Sequence, residues 1–247
     1  MEKEEKLKEI LHYLKLLWLE KNLEAELRAA AAESPSYSDF LLKIFSEEQA
    51  RKYERATKRR IAKARFPTVK TIDEFDFNHP EKINKKLVLS LFDLRFVKNR
   101  ENVILLGPTG VGKSHIANAL GHHACAGGFS TLYTTAAELI NRLTASFSDN
   151  SLLRALKYYT LPRLLVLDEL GYIPIDKRGA ELIFQVISNR YERGSIILTS
   201  NRAFRDWGKT FNDNTIASAI VDRLVHHSQV ITIKLSLIHI SEPTRPY

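Results

Sequence analysis

Residues 107 to 114 read Gly-Pro-Thr-Gly-Val-Gly-Lys-Ser. Gly107, Gly110 and Gly112 let successive backbone N–H groups converge on phosphate oxygens, where larger residues would block the approach. Lys113 places a cation on the β and γ phosphates and Ser114 offers its hydroxyl to Mg²⁺. The helix opening there adds its positive N-terminal dipole. Pro108, Thr109, Val111 and His115 complete the stretch that would enclose the nucleotide. The chemistry indicated is binding of a nucleoside triphosphate, ATP or GTP, with Mg²⁺.

A second element is Leu164-Leu165-Val166-Leu167-Asp168-Glu169, an apolar run ending in two carboxylates. As a strand it delivers both acids to its C-terminal end, where open α/β sheets bind ligands. Asp168 suits a Mg²⁺ ligand, acting through water. Glu169 suits the base that polarises an attacking water, which hydrolysis requires and simple binding does not. A third run, Ile196-Ile197-Leu198-Thr199-Ser200-Asn201, ends in an amide that could orient the same water, although Asn after a strand is more often turn chemistry. His122 with His123 and His226 with His227 form adjacent pairs that lack an acid at metal-ligand spacing, so they read as surface or core histidines. Trp18, Tyr158 and Tyr159 read as packing residues.

These residues need a scaffold. Asn102 to Leu106 is a short buried strand feeding the loop, followed by Thr131–Tyr133 as strand, Ala136–Thr144 as helix, Leu164–Leu167 as strand, Arg178–Glu192 as helix and Ile196–Thr199 as strand. That alternation predicts an α/β fold with a parallel central sheet and helices on both faces. Ahead of it, two or more amphipathic helices are predicted, the first stretch of helical spacing running from Glu2 to about Leu27. A second begins near Phe40, after the loop signal Ala32-Glu33-Ser34-Pro35-Ser36. Phe66-Pro67 stops the second helix, because the residue before proline is pushed out of the α region. A connector through Asn78-His79-Pro80 then leads to a helix from about Glu81 to Lys98. The domains are therefore drawn as 1–66, helical and basic, and 67–234, α/β. Residues 235–247 read as a non-native tail of read-through type, so a few native C-terminal residues are expected to be missing.

The chain has 247 residues, a net charge of +8 and one cysteine, Cys125. That length supports one α/β domain with a smaller appendage, and a single cysteine excludes an internal disulfide or a cysteine zinc site. Cys125 reads as a small buried hydrophobe. No apolar run approaches the roughly 20 residues that span a bilayer, and the start lacks a signal-peptide core, so no membrane partner and a cytoplasmic address are expected. The second helix carries Arg51, Lys52, Arg55, Lys58, Arg59, Arg60, Lys63 and Arg65 against the single acid Glu54. Those cations cover most of its circumference, more than solvation of one face needs, and point to phosphate contact with DNA. The alternative is a solvated helix whose cations pair with the acidic first helix.

The ordered set Gly107–Ser114, Leu164–Glu169, Thr199-Ser200-Asn201 and Ile220-Val221-Asp222-Arg223-Leu224 resembles the AAA+ ATPases. Ala64-Arg65-Phe66-Pro67, Phe75-Asp76-Phe77, Leu167-Asp168-Glu169-Leu170-Gly171-Tyr172, Gln185 to Glu192 and Asp222 to His226 are more closely similar to the IstB/DnaC branch, and within it to IstB-type transposition helpers. The resemblance covers roughly residues 1–234. It implies an AAA+ P-loop three-layer domain behind a small all-helical N-terminal domain. It further implies a Mg²⁺-dependent ATPase that forms a homo-oligomer on double-stranded DNA and serves an IstA-type transposase in target selection and transposase stimulation. In such assemblies an arginine of one subunit completes its neighbour's ATP site. Arg223 matches that position, with Arg178 and Arg190 as lesser candidates. The stretch after Arg223 is too short for the usual C-terminal helical lid, so no lid residue is assigned. A loader of the replicative helicase shares the same core and is the competing reading. A small-molecule kinase would need an acceptor pocket and a phosphate-clamping lid, and a purely architectural DNA-binding module would have no use for Glu169.

Overall fold

The structure, a computed structural model, describes residues 2–78, 83–148 and 150–234. The chain divides into two compact units, Met1–Arg59 and Arg60–Tyr247.

The first unit is helical: α1 (Glu2–Tyr13), α2 (Leu17–Glu33) and the larger part of α3 (Tyr37–Ala64). The first stretch of helical spacing, Glu2 to about Leu27, is two helices, broken where Lys15 turns left-handed at φ 57°. The break is satisfied from a distance. Glu48 of α3 is only 2% exposed and accepts hydrogen bonds from the Trp18 and Leu19 backbone N–H groups at 2.8 and 2.9 Å. Its carboxylate thus caps the N-terminus of α2 in place of a local cap residue and meets the positive end of that helix dipole. Leu11, Leu19, Leu23 and Ile44 form a small core, with Trp18 and Phe40 against it, so Trp18 packs.

The second unit is an α/β domain whose five described strands are β1 (Asn102–Leu106), β2 (Thr131–Thr135), β3 (Leu164–Leu170), β4 (Ser195–Ser200) and β5 (Ser228–Thr232). They form one sheet in the order β2-β3-β4-β1-β5, and all four neighbouring pairs are parallel. β1, β3 and β4 are buried on both faces, which is why they read as continuous apolar runs rather than alternating ones. Two cores flank the sheet. One holds Ile104, Leu139, Leu165, Leu167, Ile183 and Trp207; the other holds Leu105, Ile116, Leu120, Tyr133, Val166 and Ile197. No described helix is long and apolar enough to cross a membrane.

The helices of this unit, numbered onward, are α4 (Lys85–Ser90), α5 (Arg95–Asn99), α6 (Lys113–Ala126), α7 (Ala136–Ala145), α8 (Leu152–Thr160), α9 (Lys177–Arg190), α10 (Trp207–Phe211) and α11 (Asn214–Val225). The continuous helix expected to Lys98 is divided into α4, a 3₁₀ turn at Leu91–Asp93 and α5. Leu94 is left-handed at φ 58° and 5% exposed, and Asp93 accepts from the Arg95 backbone N–H at 2.8 Å. The kink lets Leu91, Leu94, Phe96 and Val97 all reach the core, which a straight helix would spread around its circumference. The expected start of that helix at Glu81, the His79-Pro80 part of its connector and the 235–247 tail lie outside the described residues.

Candidate nucleotide site

The phosphate loop joins β1 to α6 at the C-terminal edge of the sheet. Gly110 and Gly112 have φ of 87° and 85°, a region that side chains avoid. A Cβ on Gly112 would also lie 2.4 Å from the Phe75 ring. Lys113 is 3% exposed, and its Nζ donates to the Pro108 carbonyl oxygen at 2.7 Å across the loop. Burial pushes its ammonium below the ordinary lysine range, and the nearby Asp168 carboxylate partly offsets this. The Nζ also stands 5.8 Å from the centre of the Tyr172 ring. Val111 is a core residue at 1% exposure. The His115 imidazole turns away from the loop: its Nε2 lies 2.7 Å from the Thr71 carbonyl oxygen and its ring packs edge-on to Phe75. What His115 still offers a phosphate is the backbone N–H at the start of α6.

Asp168 is 2% exposed and lies beside Ser114, whose hydroxyl donates to Asp168 Oδ1 at 2.9 Å. The Thr199 hydroxyl also donates to Oδ1, and the Tyr133 hydroxyl donates to Oδ2. Glu169 stands where β3 loses register with β4, at a bulge between Leu167 and Leu170. It is left-handed at φ 62°, and its backbone N–H reaches Thr199 Oγ1 at 2.9 Å and Asp168 Oδ1 at 3.1 Å. The bulge leaves Asp168 buried and sets the next residue's side chain out toward solvent. Asn201 follows β4, and its Oδ1 is buried without a hydrogen-bond partner among the described residues. An orphaned buried acceptor in this position suits a site that is completed by a ligand or water.

The loop, Asp168, Glu169 and Asn201 therefore meet at one sheet edge. A hydroxyl and a carboxylate are hard oxygen donors of the kind Mg²⁺ prefers, so the residues present fit Mg·ATP. Sequence reasoning gave no site role to Tyr133, Thr199, Tyr172 or Phe75, the last three of which entered only within the third strand run and the motifs of the resemblance. Thr199 stood two residues before a residue already singled out, but Tyr133 carried no spacing signal in Thr-Leu-Tyr-Thr-Thr.

The arginines separate. Arg190 is 1% exposed and donates to the carbonyl oxygens of Tyr159, Thr160, Pro162, Arg163 and Ser195 at 2.7–3.4 Å. Burial pushes its guanidinium down to about 9, still cationic near neutrality. A side chain so enclosed cannot reach a neighbouring subunit, which corrects its candidacy. Arg178 lies over the Phe147 ring at 4.1 Å. Arg223, on the last turn of α11, is half-exposed, lies over Phe184 at 4.6 Å and donates to the Ala219 carbonyl oxygen. It lines a depression with Asn102 and Arg190, at the strand ends opposite the phosphate loop.

Glu192 joins His226 and His227 near that depression, with ligand atoms within 4.8 Å of one another. The acid missing from the sequence neighbourhood is thus supplied by the fold. All three side chains are exposed, the Tyr191 hydroxyl occupies His226 Nδ1, and Arg100 and Arg223 line the depression shared by Glu192 and His227. Fixed cations there oppose a further dication.

Among the cations of α3, Arg55 pairs with buried Glu48 at 2.9 Å, and Arg60 Nε donates to the Cys125 carbonyl oxygen at 2.7 Å. Both have structural work. Arg51 and Lys58 share Glu54, at 3.5 and 2.7 Å. Lys52, Arg59 and Lys63 are exposed. These ion pairs run within α3 rather than to α1. Cys125 is buried, as a small hydrophobe should be, and burial pushes its thiol up.

A family of IstB-like ATP-binding proteins matches residues 9–239 of the chain. An ATP-binding protein of insertion sequence IS21 from Pseudomonas aeruginosa is 42% identical over 91% of this chain and 85% of its own length. Another, of IS5376 from Geobacillus stearothermophilus, is 36% identical over 93% of this chain and 92% of its own. Among solved structures, DnaI aligns at TM-score 0.58 with 21% identity, over 66% of this chain and 90% of that one. The DnaC helicase loader aligns at 0.55 with 23% identity, over 66% and 96%. These two show the fold, that of AAA+ domains.

Proposed function

This chain belongs to the family of IstB-like ATP-binding proteins, and from that premise we propose that it hydrolyses Mg·ATP within a homo-oligomer formed on double-stranded DNA, as the helper of an IstA-type transposase. The observation that carries the hydrolytic reading is the pairing of the buried Lys113 and Asp168 and the half-buried Ser114 with Glu169, held left-handed at φ 62° beside them. Nucleotide binding alone would not require that second carboxylate.

In this reading Lys113 exchanges the Pro108 carbonyl oxygen for phosphate oxygens, and the loop amides enclose the β phosphate. Ser114 and, through water, Asp168 would hold the metal, which would supply positive charge to offset that of the triphosphate. Glu169 accepts a proton from the attacking water, and the Asn201 amide orients that water. Arg223 stands at the far ends of the strands from its own loop, so it serves the site of an adjacent copy. Lys52, Arg59 and Lys63 hold DNA phosphates, with Arg51 and Lys58 contributing from shared ion pairs. Contacts of that kind fix position without reading sequence.

Sedimentation of the protein with duplex DNA, comparing ATP, ADP and no nucleotide, tests the reading. The large complex is expected with ATP alone, and a mass independent of nucleotide contradicts it. Identity of 36–42% to insertion-sequence proteins favours the transposase over the helicase as partner. Affinity of the purified protein for a replicative helicase, with none for the cognate transposase, would reverse that choice.

A further inference from the structure

The Asp168 carboxylate is buried and accepts four hydrogen bonds: from Ser114, from Thr199 and from the Glu169 backbone N–H on Oδ1, and from Tyr133 on Oδ2. Ser114 is the hydroxyl needed by the metal, and Glu169 is held for its own side chain. The Tyr133 and Thr199 hydroxyls have no such other duty. We propose that Tyr133 and Thr199 are positioning residues that fix the Asp168 carboxylate for Mg²⁺, with Thr199 also setting the Glu169 backbone. The inference rests on the Mg·ATP reading of the site.

The geometry is built for it. Tyr133 pairs with Val166 in the β2–β3 register, two residues before Asp168, so its side chain lies on the same sheet face and its hydroxyl reaches along β3 to the carboxylate. Its ring is 6.0 Å from Phe66, and a Cβ on Gly121 of α6 would meet Phe66 at 2.8 Å and Val166 at 3.0 Å, so there is little room for the ring to swing. Thr199 is 0% exposed and touches both acidic residues through one oxygen: its hydroxyl donates to Asp168, and it accepts from the Glu169 N–H. With about two lone-pair sites on each carboxylate oxygen, Thr199 and the Glu169 N–H already fill Oδ1 without Ser114, and Tyr133 alone on Oδ2 leaves the open valence there. The orientation of that valence is then set by Tyr133.

The test follows metal binding rather than turnover. Mn²⁺ is titrated into protein saturated with a non-hydrolysable ATP analogue, and the free-ion signal is read by electron paramagnetic resonance. Tyr133→Phe, which removes only the hydroxyl, is expected to weaken Mn²⁺ binding by about tenfold or more while leaving metal-free affinity for the analogue unchanged. Thr199→Val is expected to weaken it comparably and Thr199→Ser to restore it. Parent-like Mn²⁺ affinity in Tyr133→Phe overturns the inference, and so does an equal loss of metal-free binding, which would mean only structural support. Failure of the parent itself to take up Mn²⁺ with the analogue overturns the site reading beneath it.

Discussion

The trans role of Arg223 can be tested by mixing two inactive variants. Arg223 stands near Asn102, where β1 begins, whereas the phosphate loop follows Leu106, where β1 ends. Five strand residues at about 3.3 Å each separate the two levels by roughly 15 Å, beyond the reach of one side chain. Arg223→Ala should therefore bind ATP like the parent and lose turnover by about 10³-fold or more, the usual value of a trans arginine. Glu169→Gln should do the same for a different reason, since it removes the base from its own site. In an equal mixture, a productive interface needs Glu169 from an Arg223→Ala subunit and Arg223 from a Glu169→Gln subunit. Random assembly gives about a quarter of all interfaces that composition, whatever the ring size or even in a two-fold dimer. Steady-state ATP hydrolysis, measured after the variants are mixed and allowed to exchange subunits with DNA and ATP present, is expected to recover to about a quarter of the parental rate per subunit. No recovery in a mixture shown to contain mixed oligomers, or parental turnover in Arg223→Ala alone, refutes the reasoning.

Arg190→Met removes the donor from five backbone carbonyl oxygens in a buried position and should cost about 3–5 kcal/mol of unfolding free energy, seen as a lower urea midpoint; a shift below about 1 kcal/mol would show that water replaces the guanidinium easily. For DNA, replacing Lys52, Arg59 and Lys63 together by Ala should make the log affinity against log salt line shallower by about 2 to 3, and an unchanged slope would place the phosphates elsewhere. Burial lowers the Lys113 ammonium in the free site, and triphosphate oxygens raise it again, so ATP binding should take up protons as the pH climbs toward the lysine range. Calorimetry in buffers of different ionisation enthalpy reads the sign directly, and proton release would contradict it.

The sheet and its loop were legible because each strand leading to the site is a short apolar run buried on both faces, and because the phosphate loop needs glycines at fixed steps. The breaks at Lys15 and Leu94 were hidden for a common reason. Both depend on tertiary demands, a distant Glu48 capping α2 and four apolar side chains sharing one core, and neither leaves a local proline or glycine. Arg190 read as a lesser candidate for the trans arginine, since nothing in Ser-Asn-Arg-Tyr tells that five carbonyl oxygens converge on it. Asp168 and Glu169 were found as a pair, but the bulge that points them differently arises from the register against β4. The basic run in α3 was plain in the sequence. Its division into structural arginines, Arg55 and Arg60, and exposed cations needed the partners Glu48 and Cys125 to be in place.

The central claim is that a triphosphate is gripped through Lys113 and cleaved beside Glu169. Equilibrium binding of ATP with Mg²⁺ to Lys113→Ala, measured together with its turnover, tests that claim most directly. The account predicts affinity reduced by at least about tenfold and hydrolysis at background, because the cation that meets the β and γ phosphates is gone. Parental binding and parental hydrolysis in that variant would contradict it.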